Sequence, residues 1–88
     1  MFRLWGKLIK DNHLINDSTV CDGSDDTRTH KVFHAITSLS KEFDLPEPIW
    51  LKSNISEFKR LSRTRFTQDS FMEKVPFDYL EIQIIEED

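Results

Sequence analysis

The sequence predicts an α+β fold. It reads as a small, mainly antiparallel sheet of about four strands, with one long amphipathic helix on one face and a short second helix, in the order β-β-α-β-α-β. Three observations predict it. The two ends of the chain, residues 2–9 and 78–86, alternate in parity as half-buried strands do. In the middle, Val32, Ile36, Leu39 and Phe43 recur at spacings of four, three and four, which is one face of a helix. Pro46 and Pro48 then stop that helix, because proline has no N–H and disfavours helical angles in the residue before it.

The elements follow in order. Phe2, Leu4 and Leu8 share one parity, and Arg3, Trp5, Lys7 and Ile9 the other. Lys10-Asp11-Asn12 has turn chemistry, so a return strand from His13 to Val20 or Cys21 completes a hairpin, with Asn16-Asp17-Ser18 as a place where a second turn would interrupt it. Asp25, Asp26 or Thr27 caps the long helix, and the acids suit the positive end of its dipole. That helix runs to about Phe43, with Phe33 widening its apolar stripe and His30, Lys31, His34, Ser38 and Lys41 mostly off it. Ile49-Trp50-Leu51 reads as a short third strand. Ser53 or Asn54 caps a second helix whose narrow apolar edge is Ile55, Phe58 and Leu61 and which ends near Ser62. Residues 64–71 fit no single element, though Phe66 and Phe71 require packing. After Val75-Pro76-Phe77, the last strand sets Leu80, Ile82 and Ile84 against Tyr79, Glu81, Gln83 and Ile85.

Eighty-eight residues make one domain, 1–88, with a thin core. Apolar residues at 38% and charged residues at 32% fit a soluble globular chain rather than a disordered one. No apolar run approaches the length of about eighteen residues that spans a bilayer, so no membrane partner is expected. The charged start, Met1 to Ile9, does not read as a signal peptide. One cysteine, Cys21, excludes an intrachain disulfide, and the expected location is the cytoplasm.

The charge is uneven. Lys59, Arg60, Arg63 and Arg65 place four cations in seven positions, leaving eight cations against sixteen anions elsewhere. Arginine binds carboxylate or phosphate through two parallel hydrogen bonds, and Phe58 and Phe66 flank the run, so it is a candidate surface for an anionic partner, protein or nucleic acid. The competing reading is a solvated face, or cations paired with the chain's own acids. Lys59 and Arg63 are the expected exposed contacts, and Arg60 and Arg65 the expected internal pairs. Overall acidity argues against nonspecific nucleic-acid binding, which cation density drives.

Trp5, Trp50 and Tyr79 fall on the sheet face turned away from the long helix. Either residues 53–75 fold over them, supplying Phe58, Leu61, Phe66 or Phe71, or they form an exposed surface for homodimerisation or base stacking. The burial needs of so short a chain favour the first. His30 and His34 stand at the i, i+4 spacing that lets two imidazoles share a metal, and Cys21 precedes them by a short loop. The chain lacks C-x-x-C, H-E-x-x-H and a glycine-rich phosphate loop, so polar-face histidines are the simpler reading and no cofactor or catalytic residue is assigned.

Phe2-Arg3-Leu4-Trp5-Gly6-Lys7, Asp26-Thr27-Arg28-Thr29-His30-Lys31, Pro48-Ile49-Trp50-Leu51, Phe58-Lys59-Arg60, Arg65-Phe66-Thr67-Gln68-Asp69 and Phe77-Asp78-Tyr79-Leu80-Glu81-Ile82 resemble stretches of small uncharacterised proteins of Gram-positive bacteria. The resemblance covers nearly the whole chain. It implies a bacterial cytoplasmic setting and carries no activity or site residue. Three readings therefore stand: a non-enzymatic binding or accessory protein using the basic 59–65 stretch, a homodimeric module using an aromatic sheet face, and a metal-binding protein or enzyme using Cys21, His30 and His34.

Overall fold

A computed structural model describes residues 1–87. The chain is α+β, with four antiparallel strands and two helices. Strands β1 (Phe2–Lys10) and β2 (His13–Asp22) form a hairpin, helices α1 (Arg28–Glu42) and α2 (Lys52–Leu61) follow, and β3 (Arg63–Phe66) and β4 (Tyr79–Glu86) complete the sheet in the order β2-β1-β4-β3.

The hairpin turns on Asp11 and Asn12, both in the left-handed region at φ 52° and 64°, which suits a two-residue turn matched to strand twist. Strand β2 runs through Asn16-Asp17-Ser18 without a second turn. The irregularity is a bulge instead: Leu8 faces Asn16 while Ile9 faces Leu14, so Ile15 is the extra residue. Thr27 caps α1, its hydroxyl accepting from the His30 N–H at 3.2 Å. The helix closes with Asp44 at φ 56°, the Leu45 N–H reaching back to Ser40 O and the Asp44 N–H to Lys41 O, which satisfies two terminal carbonyls before the prolines.

Both helices lie on one face of the sheet, α1 over β1 and β2, α2 beside β3. Phe2, Leu4 and Leu8 of β1, Leu80 and Ile82 of β4 and Phe66 of β3 meet Val32, Ala35, Ile36 and Leu39 of α1 and Phe58 of α2. The segment 71–78 closes one end of this layer with Phe71, Val75 and Phe77. Gly6 occupies the centre of β1 under Leu39, where an added Cβ would stand 2.6 Å from Leu39 Cδ1. Leu39 is fully buried and has little room to yield. Gly6→Ala is therefore expected to cost about 1–3 kcal/mol, read by denaturant unfolding. A loss below a few tenths would show that Leu39 repacks freely.

The third strand is not where the sequence places it. Ile49-Trp50-Leu51 is extended, but it sits between Pro48 and a helix that begins at Lys52, too short a span to enter the ladder. Its Ile49 N–H bonds Ser70 O at 2.7 Å, and its Leu51 N–H is taken by Asn54 Oδ1 at 3.1 Å. The strand is Arg63–Phe66, paired to β4 with Thr64 opposite Ile82 and Phe66 opposite Leu80. Asn54 is not the cap itself. Leu51 holds that position, and Asn54 serves it from the first turn of α2.

Candidate binding surface at the second helix and third strand

The basic run straddles the junction of α2 and β3, and the backbone there divides it. Ser62 ends α2 in the left-handed conformation, φ 56°, and turns the chain directly into β3. Period-two alternation then sends Thr64 and Phe66 into the core and Arg63 and Arg65 to the sheet face that no helix covers. Lys59, one turn before Arg63 in the sequence, stays on the helix side. Four cations that are neighbours in sequence thus wrap around the sheet edge.

On the open face, Glu81 is the centre. It lies between β1 and β3, with Oε2 2.8 Å from Lys7 Nζ and Oε1 2.8 Å from Arg65 Nε. The Lys7 ammonium also sits 4.3 Å from the Trp5 ring, and the Arg65 guanidinium 4.6 Å from Tyr79. Trp5 Nε1 donates to Asp17 Oδ2 at 2.9 Å on β2. These contacts cover the aromatics that the sequence expects residues 53–75 to cover. The apolar side chains expected to provide that cover, Phe58, Phe66 and Phe71, lie on the helix side instead, committed to the core there. Trp50 is on the helix side too, edge-to-face with Phe58 at 5.4 Å and Phe66 at 5.0 Å, so it shares no face with Trp5 and Tyr79.

Burial, the largest single influence on Glu81, pushes its carboxyl pKa up. The hydrogen bonds from Lys7 and Arg65 and their charges outweigh it, and the net shift is down from 4.5. A carboxylate held below its unfolded value stabilises the fold above that value, and the contribution is lost as pH falls through the folded pKa. Glu81→Gln is expected to cost about 1–2 kcal/mol at pH 7, with the gap to the parent closing as pH falls below 4.5. A gap that persists unchanged in acid would assign the loss to packing.

Lys59, Arg60 and Arg63 are exposed, and among the described residues no carboxylate lies within ion-pairing distance of any of them. Arg65 is paired as the sequence expects, and Arg60 is not. The helix side adds a groove of ≈ 310 Å³ between α1 and α2. Its apolar lining includes Phe33, Trp50, Ile55 and Phe58, and its two charged residues are Arg28 and Lys59. Arg28 lies over the Phe58 ring at 5.5 Å, with Nε on Glu87 Oε1 at 2.6 Å and Nη2 on Ser62 Oγ at 3.0 Å. The Phe33 that widens the α1 stripe is half exposed on this groove, as is Ile55. Sequence periodicity marks Phe33 and Ile55 as apolar helix residues but does not show that both border one groove.

His30 and His34 stack with centroids 6.4 Å apart, and His30 Nδ1 is 2.8 Å from Asp26 Oδ1. That hydrogen bond, the largest influence, and one from the Thr27 amide hold the Asp26 carboxyl below its ordinary pKa. Cys21 is exposed near the end of β2. Among the described residues no three His, Cys, Asp or Glu side chains converge as a metal site would require. No helix among them is long and apolar enough to cross a membrane. Comparison with protein-family models, curated proteins and solved structures finds no match to this chain.

Proposed function

We propose that this chain is a non-enzymatic binding or accessory module that engages an anionic partner, protein or nucleic acid, through the basic 59–65 stretch. Lys59, Arg60 and Arg63 are the contacts, and Arg65 acts behind them by fixing Glu81. The observation that carries the reading is that these three exposed cations have no ion-pair partner among the described residues of a chain rich in acids. Exposed cations left without internal partners keep their charge available to an outside anion. The proposed setting is a bacterial cytoplasm, on the resemblance and the single cysteine.

The double variant Lys59→Glu, Arg63→Glu tests the reading by fluorescence anisotropy with a labelled acidic peptide and a labelled single-stranded oligonucleotide. Reversing two contacts is expected to weaken binding by roughly tenfold or more and, for the oligonucleotide, to flatten the salt slope. Unchanged affinity and slope for both probes would remove the proposal. Self-association through the open face is a second reading, favoured by Trp5, Tyr79 and the half-exposed Ile85 sharing that face. A strictly monomeric sedimentation profile at high micromolar concentration would eliminate it.

A further inference from the structure

The groove between α1 and α2 differs in kind from the cation ridge beside it. Trp50 anchors it: its edge-to-face contacts with Phe58 and Phe66 tie it to the core, and Phe33 meets it from α1 at 6.2 Å and 72°. The surface lips are Phe33 at 48% exposure and Ile55 at 42%, two half-exposed apolar side chains that border the same groove. Among the described residues no acid lines the groove, and its two charged lining residues are both cations. Arg28 already holds Glu87, which shows a carboxylate seated beside this groove, while Lys59 has no such partner among the described residues.

Resting on the proposed function, we infer that the groove receives a large apolar side chain from an acidic segment of a partner protein, with a carboxylate next to that anchor meeting Lys59. Charge complementarity and shape both select this occupant. A buried anchor rimmed by polar contacts is how protein interfaces concentrate affinity. The volume suits one or two side chains and is small for a folded element. The rings that line the groove, Phe33, Trp50 and Phe58, meet edge-to-face at 72° and 80°, so these contacting pairs offer no parallel faces to sandwich a nucleobase. The cations stand at the groove rather than in a row along it, unlike a phosphate track.

The test is selection of a displayed random-peptide library on the full chain, followed by anisotropy of the selected peptides against Ile55→Ser and Lys59→Glu. Ile55 is half exposed, so its replacement is expected to leave the thermal unfolding curve nearly in place, and that curve is recorded for both variants. The expected consensus is an aromatic or leucine residue flanked by Asp or Glu, with affinity reduced roughly tenfold or more by each substitution. Acidic peptides without an apolar anchor, insensitive to Ile55→Ser but lost with Lys59→Glu, would overturn the groove assignment and leave the anionic-partner reading standing. Apolar peptides indifferent to Lys59→Glu would overturn the acidic-segment assignment, and the anionic-partner reading then stands or falls with the Lys59→Glu, Arg63→Glu variant. No peptide enrichment, with oligonucleotide binding that Lys59→Glu abolishes, would overturn the peptide assignment in favour of nucleic acid.

Discussion

Phe66→Ala is expected to destabilise the chain by about 3–5 kcal/mol, a large part of the stability of a domain this size. Phe66 is fully buried, and it is where three parts of the molecule meet. As the last residue of β3 it pairs with Leu80, its ring meets Trp50 edge-to-face at 5.0 Å, and it shares the core with Phe58 of α2. Deleting the ring removes its burial and leaves a cavity that Trp50, itself pinned by Phe58, cannot fill without losing a second contact. Arg65→Ala, one position earlier, points the other way and is more than half exposed, so its effect on stability is expected to be well below that of Phe66→Ala. Denaturant unfolding of the two variants separates them. Equal losses would show that the alternation assigned to β3 is wrong.

Asn54→Ala is expected to cost about 2–4 kcal/mol, more than a helix cap alone supplies. Its carboxamide is buried and works in several directions. Oδ1 accepts from the Leu51 N–H at 3.1 Å and from Ser70 Oγ at 3.4 Å, while Nδ2 donates to Thr64 Oγ1 and to the Arg65 carbonyl, each at 2.9 Å. One side chain thus joins the start of α2, strand β3 and the 3₁₀ turn at Gln68–Ser70. Thr64 and Ser70 are each only 1% exposed, so removing Asn54 strands two hydroxyls away from water. The check is the double variant Asn54→Ala, Thr64→Val. It should recover part of the loss, because Val leaves no hydroxyl to satisfy. No recovery would mean that the Leu51 cap carries the effect.

The elements with strong periodicity were legible from the residues alone. The alternation of β1 and β4 and the four-three-four spacing of α1 each repeat often enough to fix their buried faces. Strand β3 was not legible, because four residues give only two alternations and both outward positions belong to a charge run. The apolar Ile49-Trp50-Leu51 looked more strand-like, yet its amides are used by Ser70 and Asn54. The same short strand explains the two sheet faces. Once Phe58 and Phe66 are drawn to the helix side, Trp5 and Tyr79 are left to Lys7 and Arg65, which a search for apolar cover does not anticipate. The basic run was visible as composition. Its division around the sheet edge depends on the left-handed Ser62, a tertiary detail without a signal in the charge pattern.

The central claim is that the exposed cations at the α2–β3 junction, with the groove beside them, form the binding surface. Amide chemical-shift mapping by nuclear magnetic resonance tests it most directly, with uniformly labelled chain titrated with an acidic peptide that carries one aromatic residue. The account predicts shifts concentrated at Arg28, Phe33, Trp50, Ile55, Lys59, Arg60 and Arg63, with Thr19 and Cys21 of β2 unmoved. Shifts centred on Trp5, Lys7 and Thr19 of the open sheet, with Ile55 and Lys59 silent, would contradict it.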